Sequence, residues 1–321
     1  MSVRQFIALG TSSQVPTRKR NHNGYFLRWD DRGLLFDPGE GTQRQMTFFG
    51  VAASDIHCIL ITHLHGDHCL GLAGILQRIS LDRAPQVVDL IYPLSGKPYI
   101  ENLKNASIYD HIINLREHAV NAPGLVLRDS RFCIEAYPLD HSVDCYGYRV
   151  IEPDSISLRA DLLAEHGVSG PSVGILKRQG FLDRPGRPRL RVEQVSVPRV
   201  GMIFGFLMDT RVCDGATHVA SNADLLVSEA TYLSTETAEA IARGHLTASQ
   251  AATIAAGAGV KALALTHFSQ RYIGVDEFVA EARPIHSNVV ALEDGMSMTI
   301  PRWRQATLSG TMRAASGGNR E

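Results

Sequence analysis

The stretch Ile59-Leu60-Ile61-Thr62-His63-Leu64-His65-Gly66-Asp67-His68-Cys69 decides the fold of this 321-residue chain. The four apolar or β-branched residues from Ile59 to Thr62 are typical of a short buried strand. Three histidines and one aspartate follow within six residues, at positions 63, 65, 67 and 68. Imidazole and carboxylate groups suit zinc, and this spacing after a strand lets the side chains reach two adjacent centres. The stretch therefore predicts a metal-binding loop at the end of a strand.

The composition is that of an ordinary globular protein, with 44% hydrophobic residues, 20% charged residues and a net charge of -1. A charge balance so close to neutral means that any polyanion has to be held by a local basic patch. The five cysteines are odd in number and form no Cys-x-x-Cys pair, which argues against a disulfide framework and favours a reducing cytoplasm. Because no apolar run of about 18 residues and no signal-peptide pattern occurs, we expect neither export nor a membrane span.

Strand-like and helix-like patterns alternate through both halves of the chain, which predicts two packed β-sheets with helices outside, an αβ/βα sandwich. We expect one domain over residues 1–303 and a flexible tail over residues 304–321. Between residues 153 and 193 the sequence becomes rich in glycine and proline, and it holds six basic residues against one acid from Lys177 to Arg191. Core-like patterns resume afterwards, so we interpret this segment as an inserted arm with one short helix around residues 158–165. A solvated basic loop without a partner is the alternative.

Three further candidate ligands lie at or just after the ends of predicted strands, namely His141, Asp209 and His267. In layered α/β folds catalytic side chains gather at strand termini, so these residues and the first cluster are expected to share one cleft. A single histidine after a strand is more often a hydrogen-bonded structural residue. The hypothesis of one metal site therefore depends on the placement that all four segments share.

Further short motifs are distributed along almost the whole chain. They are Pro16-Thr17, Arg20-Asn21, Phe36 to Thr42, His63 to His68, His141, Asp209-Thr210, Glu229-Ala230-Thr231, His245 with Thr247, and Thr266 to Tyr272. Together they resemble the ribonuclease Z (tRNase Z) family of the metallo-β-lactamase superfamily. The resemblance implies the metallo-β-lactamase fold and a zinc-dependent endoribonuclease that removes the 3′ trailer from precursor tRNA, leaving a 3′-hydroxyl on the tRNA and a 5′-phosphate on the trailer.

The resemblance also implies roles for individual residues. Two zinc ions would be held, one by His63, His65, His141 and Asp209, and the other by Asp67, His68, Asp209 and His267, with Asp209 as the bridge. Zinc is the chemical preference of such ligands, and Mn²⁺ or Fe²⁺ also fits them. Asp67 would orient or deprotonate the attacking water. His245 would protonate the leaving oxygen while Glu229 holds its tautomer, and a helix-capping carboxylate is the alternative role for Glu229.

Substrate contacts are expected from basic residues outside the metal site. Arg18, Lys19 and Arg20 are the candidates for contacts with phosphates near the mouth of the cleft. The arm resembles the protruding exosite of the family, so Lys177 and Arg178 are expected to grip the body of the tRNA without reading its sequence. In the family this arm reaches across a dimer, so the resemblance also implies a homodimer.

Three residues depart from the family pattern, namely Met208, Ser228 and Leu246. Ser228 and Leu246 stand where the pattern has polar residues beside Glu229 and His245, and we expect them to thin the hydrogen bonding there. Two alternatives to the nuclease are left open. One is a dizinc phosphodiesterase or sulfatase-like hydrolase of small substrates, and the other is a catalytically weak RNA-binding paralogue that keeps its zinc.

Overall fold

The structure is a computed structural model that describes residues 4–300. The tail predicted from Arg304 onward lies outside the described residues. The strands, in chain order, are β1 (Arg4–Gly10), β2 (Gly24–Trp29), β3 (Arg32–Phe36), β4 (Ile56–Leu60), β5 (Val87–Pro93), β6 (Asn114–Val120), β7 (Gly124–Arg128), β8 (Cys133–Leu139), β9 (Cys145–Ile151), β10 (Ser155–Leu158), β11 (Phe181–Arg184), β12 (Arg187–Arg191), β13 (Ser196–Arg199), β14 (Ile203–Leu207), β15 (Leu225–Glu229), β16 (Leu263–Thr266), β17 (Val289–Ala291) and β18 (Ser297–Thr299).

The α-helices are α1 (Thr42–Phe48), α2 (Gly66–Cys69), α3 (Leu72–Leu81), α4 (Lys97–Lys104), α5 (Ala160–Glu165), α6 (Pro171–Gln179), α7 (Asp214–Ala220), α8 (Thr237–Arg243), α9 (Ala248–Gly257) and α10 (Asp276–Ala282). Across residues 4–300, none of them has the length and hydrophobicity that a membrane crossing requires.

Two seven-stranded sheets form the body of the chain. The first has the order β18-β1-β2-β3-β4-β5-β6, and the second has the order β17-β16-β15-β14-β9-β8-β7. The strands from β3 to β6 run parallel in the first sheet, as do those from β14 to β17 in the second. Parallel strands need crossover helices, which explains why helices follow these strands.

Alternation along the strands builds the layers. On β1, Phe6 faces the core between the two sheets, whereas Ile7 faces a second core that includes residues of α3. On the second sheet, Phe206 faces the central core and Leu226 faces a core shared with α7, α9 and α10. Strands that are apolar on both faces are typical of sheets covered on both sides. The predicted αβ/βα sandwich is confirmed.

The inserted segment is a separate compact unit, Pro153–Gly201, whereas residues 4–152 and 202–300 form the body. The unit pairs β10 with β13 and β11 with β12, contains α5 and α6, and buries its own apolar cluster. It is therefore more ordered than its composition predicts. Apart from Val168, which lies in a loop, its buried cluster residues come from elements of four to nine residues, which are too short to display a period in the sequence.

The body closes its sheet across the insertion. The amide of Glu152 donates to the carbonyl of Met202 at 2.8 Å, and the antiparallel ladder continues from Ile151 paired with Ile203. The strands β9 and β14 therefore meet as neighbours although about fifty residues separate them in sequence.

Candidate metal centre

The candidate ligands lie just beyond the ends of strands, at one edge of the body. His63 follows β4, His141 follows β8, Asp209 follows β14 and His267 follows β16, while Glu229 is the last residue of β15. Each strand fixes the direction in which its next side chains leave the sheet, so residues far apart in sequence meet here. His63, Asp209, Glu229 and His267 are buried.

The first cluster contains His63, His65, His141 and Asp209. Nδ1 of His65 lies 3.0 Å from Nε2 of His63 and 3.3 Å from Nε2 of His141. Oδ2 of Asp209 lies 3.6 Å from Nε2 of His63 and 3.7 Å from Nε2 of His141. Ligands held tetrahedrally at a zinc–nitrogen distance of about 2.05 Å are roughly 3.3 Å apart, so these separations fit a single ion.

The second cluster contains Asp67, His68 and His267, and Asp209 completes it. Oδ2 of Asp67 lies 3.3 Å from Nε2 of His68 and 3.5 Å from Nε2 of His267. Oδ1 of Asp209 lies 3.4 Å from Nε2 of His68 and 3.2 Å from Nε2 of His267. The two oxygens of Asp209 therefore face different clusters, as a bridging carboxylate requires.

Within residues 4–300, Oδ1 of Asp209 and Nε2 of His267 are buried and have no hydrogen-bond partner. Buried polar atoms without partners are costly, and an acceptor pair facing a common point is the arrangement that a cation satisfies. The imidazole and carboxylate donors suit zinc and its neighbours. The residues therefore fit a pair of bound metal ions.

The outward-facing ring nitrogens of His63, His68 and His141 contact neighbouring residues. Nδ1 of His68 donates to Oδ2 of Asp37 at 2.8 Å, and Nδ1 of His141 donates to the carbonyl of Gly244 at 2.9 Å. Nδ1 of His63 lies 3.1 Å from the hydroxyl of Thr62, which in turn donates to Asp37 at 2.7 Å. Such outer contacts fix each ring and its tautomer.

Asp37 is a functional residue that sequence reasoning missed as part of the site. It is fully buried, lies directly after β3, and has a positive φ of 43°. Its signal was its place after a strand, which it shares with the candidate ligands. His267 also has a positive φ, of 62°, which is uncommon for a residue with a side chain. Strained backbone of this kind persists where the surrounding structure fixes it.

A histidine–carboxylate pair lies beside the metal centre. Nδ1 of His245 lies 3.2 Å from Oε1 of Glu229 and 3.9 Å from Oδ2 of Asp209. Burial alone would lower the pKa of His245, but Glu229 and Asp209 outweigh it and raise the pKa to about 9. Burial alone would raise the pKa of Glu229, but the charge of His245 and its hydrogen bond hold that pKa below its usual range. The pair therefore presents a protonated imidazole next to a carboxylate that stays ionised.

Glu229 is fully saturated with donors. It accepts from the amide of Thr210 at 2.7 Å, from the amide and the hydroxyl of Thr231 at 3.3 and 2.7 Å, and from His245. At Glu229 the expected thinning by Ser228 and Leu246 is not observed, because its carboxylate has these four donors. Leu246 packs in the helix-side core, and Ser228 donates to the carbonyl of Glu229, so neither takes a donor from the carboxylate.

A cavity of about 430 Å³ opens over the centre. Its lining includes the cluster residues His65, Asp67, His141 and Asp209, together with His245, Tyr232, Arg243 and Arg271. The guanidinium of Arg271 lies 4.9 Å from the centroid of the Tyr232 ring. The lining therefore combines the candidate metal ligands with the exposed side chains of Arg243 and Arg271, which also form ion pairs with Glu239 and Glu236.

The predicted substrate residues have different environments. Arg18 and Lys19 are exposed, whereas Arg20 is only 7% exposed and donates through Nη2 to the carbonyls of Ser269 and Tyr272 at 3.2 and 2.7 Å. Because its guanidinium is committed to the backbone, Arg20 braces the loop after His267 and is not available to phosphates. The burial of Arg20 could not be predicted from the sequence, because nothing in a run of three basic residues distinguishes a buried arginine from exposed ones.

The arm residues Lys177 and Arg178 lie in the last turn of α6 and are exposed. They belong to the unit Pro153–Gly201. Cations near a helix C-terminus are favoured by the helix dipole, so their position has a local structural reason as well.

The sandwich and its two His/Asp clusters define a metal-dependent hydrolase of the metallo-β-lactamase type. The family model described as "Metallo-beta-lactamase superfamily" matches residues 17–213. Ribonuclease Z of Nocardia farcinica is 52% identical over 94% of this chain and 99% of its own length, and ribonuclease Z of Thermobifida fusca is 48% identical over 98% and 100%. The crystal structure of human tRNase Z, short form, has a TM-score of 0.69 at 27% identity and covers 92% of this chain and 99% of its own.

The chain belongs to the ribonuclease Z family of the metallo-β-lactamase superfamily.

Proposed function

We propose that this chain is the endoribonuclease that removes the 3′ trailer from precursor tRNA, leaving a 3′-hydroxyl on the tRNA and a 5′-phosphate on the trailer. The observation that carries the proposal is the pairing of His245 with Glu229 beside the bridging carboxylate of Asp209. A site for phosphodiester hydrolysis needs charge next to the phosphate and an acid next to the leaving oxygen. In this cleft the His/Asp clusters would hold the cations that supply the charge, and His245 would supply the acid.

Two zinc ions per subunit are the proposed cofactors, with Mn²⁺ or Fe²⁺ as substitutes of similar ligand preference. His63, His65, His141 and Asp209 would hold one ion, and Asp67, His68, Asp209 and His267 would hold the other. When bound, such ions make a water molecule more acidic and neutralise charge that develops on the phosphoryl oxygens.

The residues of the chain do the rest. Asp67 faces the cleft, where its carboxylate can accept a hydrogen bond from the attacking water and orient it. Nδ1 of His245 donates a hydrogen bond to Glu229. The proton on Nε2 is therefore the one that would be transferred to the leaving 3′-oxygen. Glu229 keeps that tautomer and favours the charged ring.

The substrate proposal adds contacts outside the cleft. Exposed Arg18 and Lys19 would contact phosphates near the entrance, and Lys177 and Arg178 of the arm would hold the body of the tRNA. A homodimer, in which each arm serves the other subunit, and a cytoplasmic location complete the proposal. The odd number of cysteines without a Cys-x-x-Cys pair supports a reducing compartment.

The alternatives have less support. The weak-paralogue hypothesis depended on lost hydrogen bonds around Glu229, yet that carboxylate has four donors. A hydrolase of small substrates gives no use for the cationic arm, and the family match favours the nuclease.

The test is incubation of the purified protein with a 3′-extended tRNA transcript, with and without a chelator. We expect one cut that yields a mature 3′-hydroxyl end, loss of cutting with the chelator, and recovery with added zinc. Cleavage of a small phosphodiester but not of the transcript would favour the small-substrate alternative.

A further inference from the structure

One hydroxyl connects the proton-donor pair to the second metal cluster. The side chain of Thr231 is 1% exposed, and its Oγ1 lies 2.7 Å from Oε2 of Glu229 and 2.8 Å from Nδ1 of His267. It also lies 3.3 Å from Nδ1 of His245. Water has no access to replace these contacts, so the three groups have to share the one proton and the lone pairs of this oxygen.

The number of protons decides the direction of each bond. A threonine hydroxyl has one proton, and an ionised carboxylate only accepts. The proton of Thr231 is therefore donated to Glu229. The same oxygen can then only accept from His267, which requires the proton of the His267 ring to be on Nδ1.

The consequence falls on the opposite nitrogen of the ring. With the proton on Nδ1, Nε2 of His267 carries a lone pair, and this is the atom that faces Oδ1 of Asp209 at 3.2 Å without a hydrogen-bond partner. A neutral imidazole with a free lone pair on Nε2 is the form that binds a metal ion. We infer that Thr231 is a positioning residue that fixes the metal-binding tautomer of His267. Through Thr231, Glu229 supports the second metal site in addition to its direct contact with His245.

The first cluster supports this interpretation with an independent copy of the arrangement. There the hydroxyl of Thr62 donates to Oδ2 of Asp37 at 2.7 Å and lies 3.1 Å from Nδ1 of His63. In both clusters a buried carboxylate, a buried threonine and a histidine ligand occur in the same order. One threonine thus serves one ligand in each cluster.

The inference rests on the two-ion site of the proposed function but not on its RNA substrate. Thr231→Val removes the acceptor for the Nδ1 proton and keeps the shape of the side chain. Loss of an outer contact of this kind weakens metal affinity by roughly ten- to a hundredfold. We expect this loss for one of the two ions only, with the ion at His63, His65 and His141 retained.

Two variants separate the hydroxyl effect from a packing effect. Thr231→Ser keeps the hydroxyl and should restore most of the affinity. Thr266→Val is the matched control, because Thr266 is equally buried and precedes His267, but its hydroxyl contacts Tyr25 at 2.9 Å and no ligand ring. It should bind both ions as the unaltered protein does.

The experiment titrates each full-length protein with zinc against a competing chelator, and records the ring nitrogen chemical shifts of His267. The inference is supported if the unaltered protein binds two zinc ions and Thr231→Val weakens the affinity for only one of them. Thr231→Ser should restore that affinity. The His267 chemical shifts should depart from those of the Nδ1-protonated form only in Thr231→Val. Unchanged zinc affinity in Thr231→Val, equal loss of both ions, or loss in Thr266→Val would overturn the inference alone. A single ion in the unaltered protein would overturn the two-ion site and the inference with it.

Discussion

Replacing His245 by alanine removes the proposed acid while leaving the seven proposed ligands of the two clusters in place, although His245 also lies close enough to Asp209 and His267 to form a third possible metal-binding group. Its ring contacts Glu229 at 3.2 Å, lines the cavity and is not required by either ligand cluster. We therefore expect zinc content to stay at the value of the unaltered protein. Cleavage of precursor tRNA should fall, because the leaving ribose oxygen then departs without a proton.

The size of the loss follows from the role. General acid catalysis contributes roughly 10²–10⁴ in rate, which corresponds to about 3–5 kcal/mol of transition-state free energy. A substrate with a good leaving group needs no acid. Hydrolysis of bis(p-nitrophenyl) phosphate by His245→Ala should therefore fall by less than about tenfold.

The assay compares single-turnover rates on a 3′-extended tRNA with steady-state rates on the small phosphodiester, at equal zinc content. The expected result is a large loss on RNA and a small loss on the activated ester. Equal losses on both substrates would refute the role as acid and assign His245 to the metal site. Normal RNA cleavage would refute any role in the chemistry.

The remaining predictions concern the metal, the pH dependence, the loops and the core. Asp209→Ala should lose both ions and all cleavage, as measured by elemental analysis and activity, because its two oxygens face different clusters. Glu229→Gln should move the alkaline limb of the pH–rate profile to lower pH, since the acid works only when protonated and Glu229 is the larger of the two charges that raise the pKa of His245. Lys19→Ala should reduce the salt dependence of RNA binding by about one phosphate contact, whereas Arg20→Ala should reduce activity and leave that slope unchanged. Phe206→Ala, a fully buried ring 4.6 Å from Phe36, should cost about 3–5 kcal/mol of unfolding free energy in denaturant titration.

Much of the fold and of the site was predictable from the sequence. The strands and helices leave local patterns, and the candidate ligands share one rule, which is that they follow the ends of strands. The apolar run before His63 predicts a strand, and the rule that functional residues follow strand ends locates His141, Asp209 and His267. The structure brings these residues within a few ångströms of one another. Periodicity therefore predicts the elements, and the strand-end rule predicts which side chains meet.

The rest depends on contacts that leave no pattern in the chain. Arg20 reads as a basic residue in a basic run, yet its burial depends on a loop about 250 residues away. Thr231 reads as an ordinary residue after a strand, and only the distances to Glu229 and His267 reveal its connections. The order within Pro153–Gly201 was missed because its elements are short and its glycines and prolines suggest irregular chain.

The first strand of the chain pairs with the last strand that the structure describes. Strand β1 pairs with β18, and the loop after it exchanges backbone hydrogen bonds with Phe268, next to the strained His267. A nascent polypeptide interrupted during translation before position 267 would already contain the histidine cluster, yet it would lack both the final ligand and the backbone that holds it. Such a truncated product therefore cannot complete the second cluster, which needs His267.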